Sequence, residues 1–190
     1  MKIGKDTFEV IFFARGGQGA KTASELIAHA AVREGKFVKA FPLFGPERSG
    51  APTKMFLRVS DFPLRTQEPV EDPDAVVVMD ETIMEHEEVA RKLDRHEVLI
   101  VNSRRSVEEL AQMVPDFQGK VQAVDATAIA LEITGNPNPN MVLVGKLLAL
   151  TSVVSPETAA EIFSEVFTEK IGAEAVRKNI AAMHKGHDSF

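Results

Sequence analysis

At 190 residues, with 44% hydrophobic and 26% charged residues, the chain is long enough for one domain with a real core and has ordinary globular composition. Its net charge of −6 and scattered basic residues, with Arg104-Arg105 the one arginine pair, argue against nucleic acid as a partner. The absence of cysteine excludes disulfides, thiolate zinc sites and cysteine-ligated iron–sulfur clusters within this chain, and fits a reducing compartment.

Val10 to Ala14, with Phe8, reads as a first strand. Gly19 to Glu34 reads as a helix, because Ala23, Leu26, Ile27, Ala30 and Ala31 recur at spacings of three and four. Gly35 suits its C′ position. Phe37 to Phe41 is a short strand, and the three prolines and two glycines of residues 42 to 52 make a long loop. Thr53 to Val59 follows too closely for a helical crossover, so it forms either an antiparallel strand or an edge hairpin. Ala75 to Met79 is a continuous apolar run, as in a strand covered on both faces. Thr82 to Leu93 reads as a charged helix capped by Asp80 or Thr82. Val98 to Val101 is a further buried strand. Ser106, with Glu109 three residues on, makes a capping box for a helix over 107 to 113.

Val121 to Val124 is another strand, with Asp125 at its end, and Ala126 to Ile133 a helix stopped by Gly135. After the polar loop of residues 136 to 140, the last third is helical: Met141 to Ser152, Pro156 to Phe167 and Ala173 to His184. Met141 to Val154 is the longest apolar stretch, but Gly145 and Lys146 interrupt it and it falls short of a membrane span. No signal-peptide pattern opens the chain, so the expected setting is the cytoplasm. Strands alternating with helices predict an α/β, Rossmann-like, doubly wound and mostly parallel sheet over a single domain, 1–190. Its carboxyl edge, where such sheets meet ligands, carries Arg15-Gly16, Pro42, Asp80, Asn102-Ser103 and Asp125.

Gly16-Gly17-Gln18-Gly19 sits between strand and helix, where phosphate loops occur. The P-loop needs G-x-x-x-x-G-K-[ST]; here Ala20 precedes Lys21-Thr22 and Arg15 stands in place of the first glycine. Asp80 after an apolar run resembles a Walker B aspartate, yet parallel strands commonly end in an acid that caps the next helix. The dinucleotide template G-x-G-x-x-G fits Gly17 and Gly19, but Thr22 takes the third place and no ribose carboxylate follows Ala40-Phe41-Pro42. Two readings of the turn stay open: a tight strand-to-helix connection that needs glycine's freedom, or an anion site built of helix N–H groups with Arg15 and Lys21.

Residues 40 to 60, AFPLFGPERSGAPTKMFLRVS, hold the second informative loop. Together with residues 16 to 31 (GGQGAKTASELIAHAA), 74 to 82 (DAVVVMDET), 124 to 132 (VDATAIALE) and 138 to 150 (NPNMVLVGKLLAL), it resembles the gamma subunits of multi-subunit pyruvate:ferredoxin oxidoreductases, within the 2-oxoacid:acceptor oxidoreductase family. The family often has Arg-Gly-Gly in the second loop, where this chain has Arg48-Ser49-Gly50.

The resemblance implies an enzyme complex that turns pyruvate, coenzyme A and oxidised ferredoxin into acetyl-CoA, CO2 and reduced ferredoxin. Thiamine diphosphate with Mg2+ and the iron–sulfur clusters would then sit on alpha, beta and delta partner subunits. This chain would bind no cofactor or metal alone, carry no catalytic residue and have no activity in isolation. Its loops would support assembly and the side facing coenzyme A, through Arg15, Gly16, Gly17, Gln18, Gly19 and Lys21, with Gly45, Glu47, Arg48, Ser49, Gly50 and Asn140. The alternatives are a subunit acting on 2-oxoglutarate or a branched-chain 2-oxoacid, an independent nucleotide-binding enzyme, and a module for assembly alone.

Overall fold

Alternation of side chains along β1, Thr7–Ala14, sends Val10, Phe12 and Ala14 into one apolar core and Ile11 and Phe13 into another. The structure, a computed structural model, describes residues 6–44 and 52–189. After β1, Gly19 takes φ 80° and α1 runs Ala20–Arg33; Gly35, at φ 81°, turns the chain out of it. β2 spans Phe37–Phe44 and β3 Thr53–Ser60, and the two form an antiparallel hairpin. β4 is Ala75–Val78, β5 Val98–Asn102 and β6 Lys120–Val124. The helices are α2 Val107–Met113, α3 Ala126–Thr134, α4 Asn140–Thr151, α5 Pro156–Ile171 and α6 Ala173–Asp188.

The six strands lie in the order β2-β3-β1-β4-β5-β6. β1, β4, β5 and β6 pair in parallel, and β3 is antiparallel to both β1 and β2. The expected α/β sheet with an edge hairpin is therefore the observed one. β2 runs three residues past its expected end, through Pro42, which is in register with Met55. Proline donates no ladder hydrogen bond, and the edge position of β2 tolerates that loss.

One face of the sheet carries α1 and α3 to α6; the other carries α2, a short 3-10 helix over Glu81–Glu85, and Val70 from the segment after β3. That 3-10 turn replaces the helix expected over 82–93. His86 and Glu87 occupy the places where a helical stripe through Ile83 and Ala90 needs apolar residues, and Glu87 instead reaches the sheet to pair with Lys54 at 2.7 Å.

α4, which holds the start of the longest apolar stretch of the sequence, is buried from Asn140 to Leu148 between the sheet and α6. A Cβ on Gly145 would stand 1.8 Å from the Met183 carbonyl oxygen, and one on Gly186 2.0 Å from that of Val142. These two glycines let the helix backbones touch. No helix among the described residues is long and apolar enough to cross a membrane.

Candidate functional site

The chain leaves β1 for α1 on one face of the sheet, and leaves β4 for the 3-10 helix on the other. Connections that part in this way open a crevice at the carboxyl ends of the two strands, the usual ligand position in open α/β sheets. The glycine turn fills one side of that crevice.

Two glycines give the turn its shape. Gly17 has φ 87° and Gly19 φ 80°, conformations in which a side chain is strained. Around Gly16 and Gly17 the space is open, whereas Gly19 lies against Asn140, whose Nδ2 would be 2.5 Å from a Cβ there. Asn138 Nδ2 donates to the Gly17 carbonyl at 3.4 Å. A relay of asparagine turns supports these contacts: Asn136 Oδ1 accepts from Asn138 N–H, and Asn138 Oδ1 from Asn140 N–H. Asn140 Oδ1 accepts from Met141 N–H at 2.8 Å.

Gln18 ties the turn to itself and to β4. Its Oε1 accepts from Arg15 N–H at 2.7 Å, and its Nε2 donates to Asp80 Oδ2 at 3.1 Å. The Arg15 side chain, expected to face an anion, is turned to the protein: Nε lies 3.3 Å from Asp80 Oδ2 and Nη2 donates to Thr82 Oγ1 at 2.8 Å. Thr82 in turn donates to Asp80 Oδ1 through its hydroxyl and its backbone N–H, at 2.6 and 3.0 Å. Burial pushes the Asp80 carboxyl up, but hydrogen bonds from Thr82 and Gln18 and the Arg15 charge outweigh it and hold Asp80 below the ordinary aspartate value. A carboxyl depressed in the folded state contributes stability above its unfolded value and loses it only as pH falls through the lower, folded one. The network is intact at neutral pH.

Lys21 projects into solvent from the first turn of α1, 78% exposed and 3.7 Å from Glu25. No side chain caps the N-terminus of α1, and its first N–H groups have no acceptor within the helix. Beside them a cleft of about 560 Å³ opens, lined among others by Thr22, Asn138, Asn140, Phe163 and Lys178. Gly45, Glu47, Arg48, Ser49 and Gly50 lie outside the described residues. Their loop leaves from Phe44 and returns at Thr53, which pair with each other; Thr53 also pairs with Ala14, next to the turn.

The structure thus places Arg15, Gln18, Gly19, Lys21 and Asn140 at one edge of the sheet, and of the two expected caps, Asp80 and Thr82, it is Asp80 that caps, on a 3-10 helix. Sequence reasoning missed that Asp80 and Thr82 also anchor Gln18 and Arg15. Among the described residues, no group of three His, Cys, Asp or Glu side chains is placed to hold a metal ion.

The sequence matches the pyruvate ferredoxin/flavodoxin oxidoreductase family over residues 9–189. It is 40% identical over 177 residues to the pyruvate/ketoisovalerate oxidoreductases common subunit gamma of Thermococcus kodakarensis, covering 93% of this chain and 96% of that one. The crystal structure of pyruvate oxidoreductase subunit PORC from Thermotoga maritima superimposes with a TM-score of 0.87 at 36% identity, over 97% of each chain. The fold also matches 30% of a longer chain, the 2-oxoglutarate:ferredoxin oxidoreductase of Magnetococcus marinus, with a TM-score of 0.77 at 24% identity over 96% of this chain. The chain belongs to the pyruvate ferredoxin/flavodoxin oxidoreductase family.

Proposed function

We propose that this chain serves, as one domain, as the gamma subunit of a thiamine diphosphate-dependent pyruvate:ferredoxin oxidoreductase, with its glycine turn on the side of the complex that receives coenzyme A. The complex oxidatively decarboxylates pyruvate, passes the acetyl group to coenzyme A and gives two electrons to ferredoxin. The observation that carries the placement is the glycine turn leading into an α1 N-terminus that no side chain caps, at the β1–β4 crevice, with Lys21 exposed beside it. Helix N–H groups without a side-chain cap and an ammonium suit the phosphates of coenzyme A.

Thiamine diphosphate, Mg2+ and the clusters belong to alpha, beta and delta partners in this reading. The residues here fit that division: there is no cysteine to ligate a cluster. Partner chains also account for exposed apolar surface. Phe37 and Leu43 on the edge strand β2 are each 45% exposed, and Phe62, just past β3, is 60% exposed.

Native anaerobic capture of the chain is expected to bring down partners carrying thiamine diphosphate and iron. The captured material should reduce ferredoxin when given pyruvate and coenzyme A, and the isolated chain should not. Turnover by the chain alone, or capture without such partners, would contradict the proposal.

A further inference from the structure

A turn with two left-handed glycines has little conformational preference of its own, because glycine loses more freedom on ordering than any other residue. Something outside the turn must hold its shape. Gln18 is the side chain of the turn through which that hold acts, and its amide works in one orientation only. Oε1 has to accept from Arg15 N–H, and Nε2 has to donate outward. Asp80, ionised, offers only acceptors, so it selects that orientation. A flipped amide would present oxygen to a carboxylate and nitrogen to an N–H.

Thr82 closes the arrangement. Its hydroxyl proton goes to Asp80 Oδ1, which leaves the oxygen to accept from Arg15 Nη2. The cap of the 3-10 helix needs only Asp80 Oδ1 and the Thr82 N–H. The second oxygen, Oδ2, faces Gln18 and Arg15. Asp80 therefore does two separable jobs with its two oxygens. The turn is gripped from the β4 side by this pair and from the α4 side by Asn138 and Asn140.

We infer that Asp80 and Thr82 are positioning residues of the glycine turn: through Gln18 and Arg15 they keep its outward backbone face presented to coenzyme A. The inference rests on the coenzyme A-facing reading of the turn given above. Neither residue touches the ligand. Arg15 acts from inside the network, and Lys21 and the helix N–H groups supply the exposed positive character.

Asp80→Asn separates the two jobs, since the amide oxygen can still cap Thr82 while its NH2 group confronts the Gln18 and Arg15 donors. Thr82→Val removes the hydroxyl relay at near-constant shape, and Thr82→Ser restores it. In the assembled holoenzyme, two readouts are taken: KM for coenzyme A against KM for pyruvate, and hydrogen exchange over residues 12–22 without coenzyme A. Asp80→Asn and Thr82→Val are expected to speed exchange across the turn and raise the coenzyme A KM about tenfold. The pyruvate KM and the kcat at saturating coenzyme A should stay near wild type, and Thr82→Ser should behave as wild type.

Unchanged exchange in both variants would overturn the positioning role. So would loss of assembly or of melting temperature in Asp80→Asn with a wild-type coenzyme A KM, which marks a purely structural residue. Faster exchange with an unchanged coenzyme A KM, in an enzyme of wild-type stability, would uphold the hold on the turn and remove the coenzyme A reading of it.

Discussion

Gly19→Ala is expected to destabilise the chain by about 2–4 kcal/mol and to weaken coenzyme A use more than pyruvate use. Two costs combine. A φ of 80° is disfavoured for alanine by about 1–2 kcal/mol, and the new methyl would stand 2.5 Å from Asn140 Nδ2. Asn140 is 8% exposed and its Oδ1 holds the Met141 N–H, so it cannot step aside without giving up that hydrogen bond. Gly16→Ala provides the control for stability, because nothing approaches within 4 Å there and its φ is not positive. Equilibrium unfolding of the two variants should separate them clearly. Equal stability would mean that the turn has another shape.

Arg58→Ala should cost about 3–5 kcal/mol, the usual penalty for removing one member of a buried ion pair. Glu9 on β1 and Arg58 on β3 are cross-strand neighbours, joined at 2.5 Å from Arg58 Nε to Glu9 Oε1, and 9% and 6% exposed. The same guanidinium donates to the carbonyls of Glu68 and Pro69, at 2.6 and 3.2 Å, and lies over the Phe41 ring at 5.8 Å. One side chain thus pins the segment after β3 onto the second face of the sheet. Denaturant unfolding should also show that Arg58→Met with Glu9→Leu recovers much of the loss, since an apolar pair of similar volume needs no desolvated charge. A loss below about 1 kcal/mol for Arg58→Ala would show that the pair is solvated after all.

Local chemistry explains why some of this architecture is legible in the sequence. Ser106 and Glu109 form both halves of the capping box, Gly35 and Gly135 leave their helices with positive φ, and Asp125 accepts from Ala128 N–H. Each signal lies within four residues of what it controls. Apolar runs at 75–79 and 98–101 likewise mark strands buried on both faces. The failures are of a different kind. The helix expected at 82–93 gives way to a 3-10 turn, and Glu87 instead pairs with Lys54, 33 residues earlier in the chain. β2 continues through Pro42 because an edge strand tolerates the missing N–H, although a proline read locally ends a strand. Gln18 and Asp80 are 62 residues apart, and Arg58 and Glu9 are 49 apart. Such contacts follow from strand order, and strand order is not written in periodicity. Asp80 shows both sides: its capping role follows from its place after a strand, and its grip on Gln18 does not.

Steady-state kinetics of the assembled oxidoreductase carrying Lys21→Glu, with coenzyme A titrated at saturating pyruvate, tests the central claim most directly. Lys21 is exposed in the first turn of α1, where a glutamate suits the helix dipole, so the fold should lose no more than about 0.5 kcal/mol against repulsion from Glu25. Reversing the charge beside an incoming phosphate is a different matter. A turn that faces coenzyme A predicts a coenzyme A KM raised about fivefold or more, falling back toward wild type at high salt or with a dephosphorylated analogue, while the pyruvate KM stays unchanged. A coenzyme A KM equal to that of the wild type would contradict the account and leave the glycine turn with protein contacts alone.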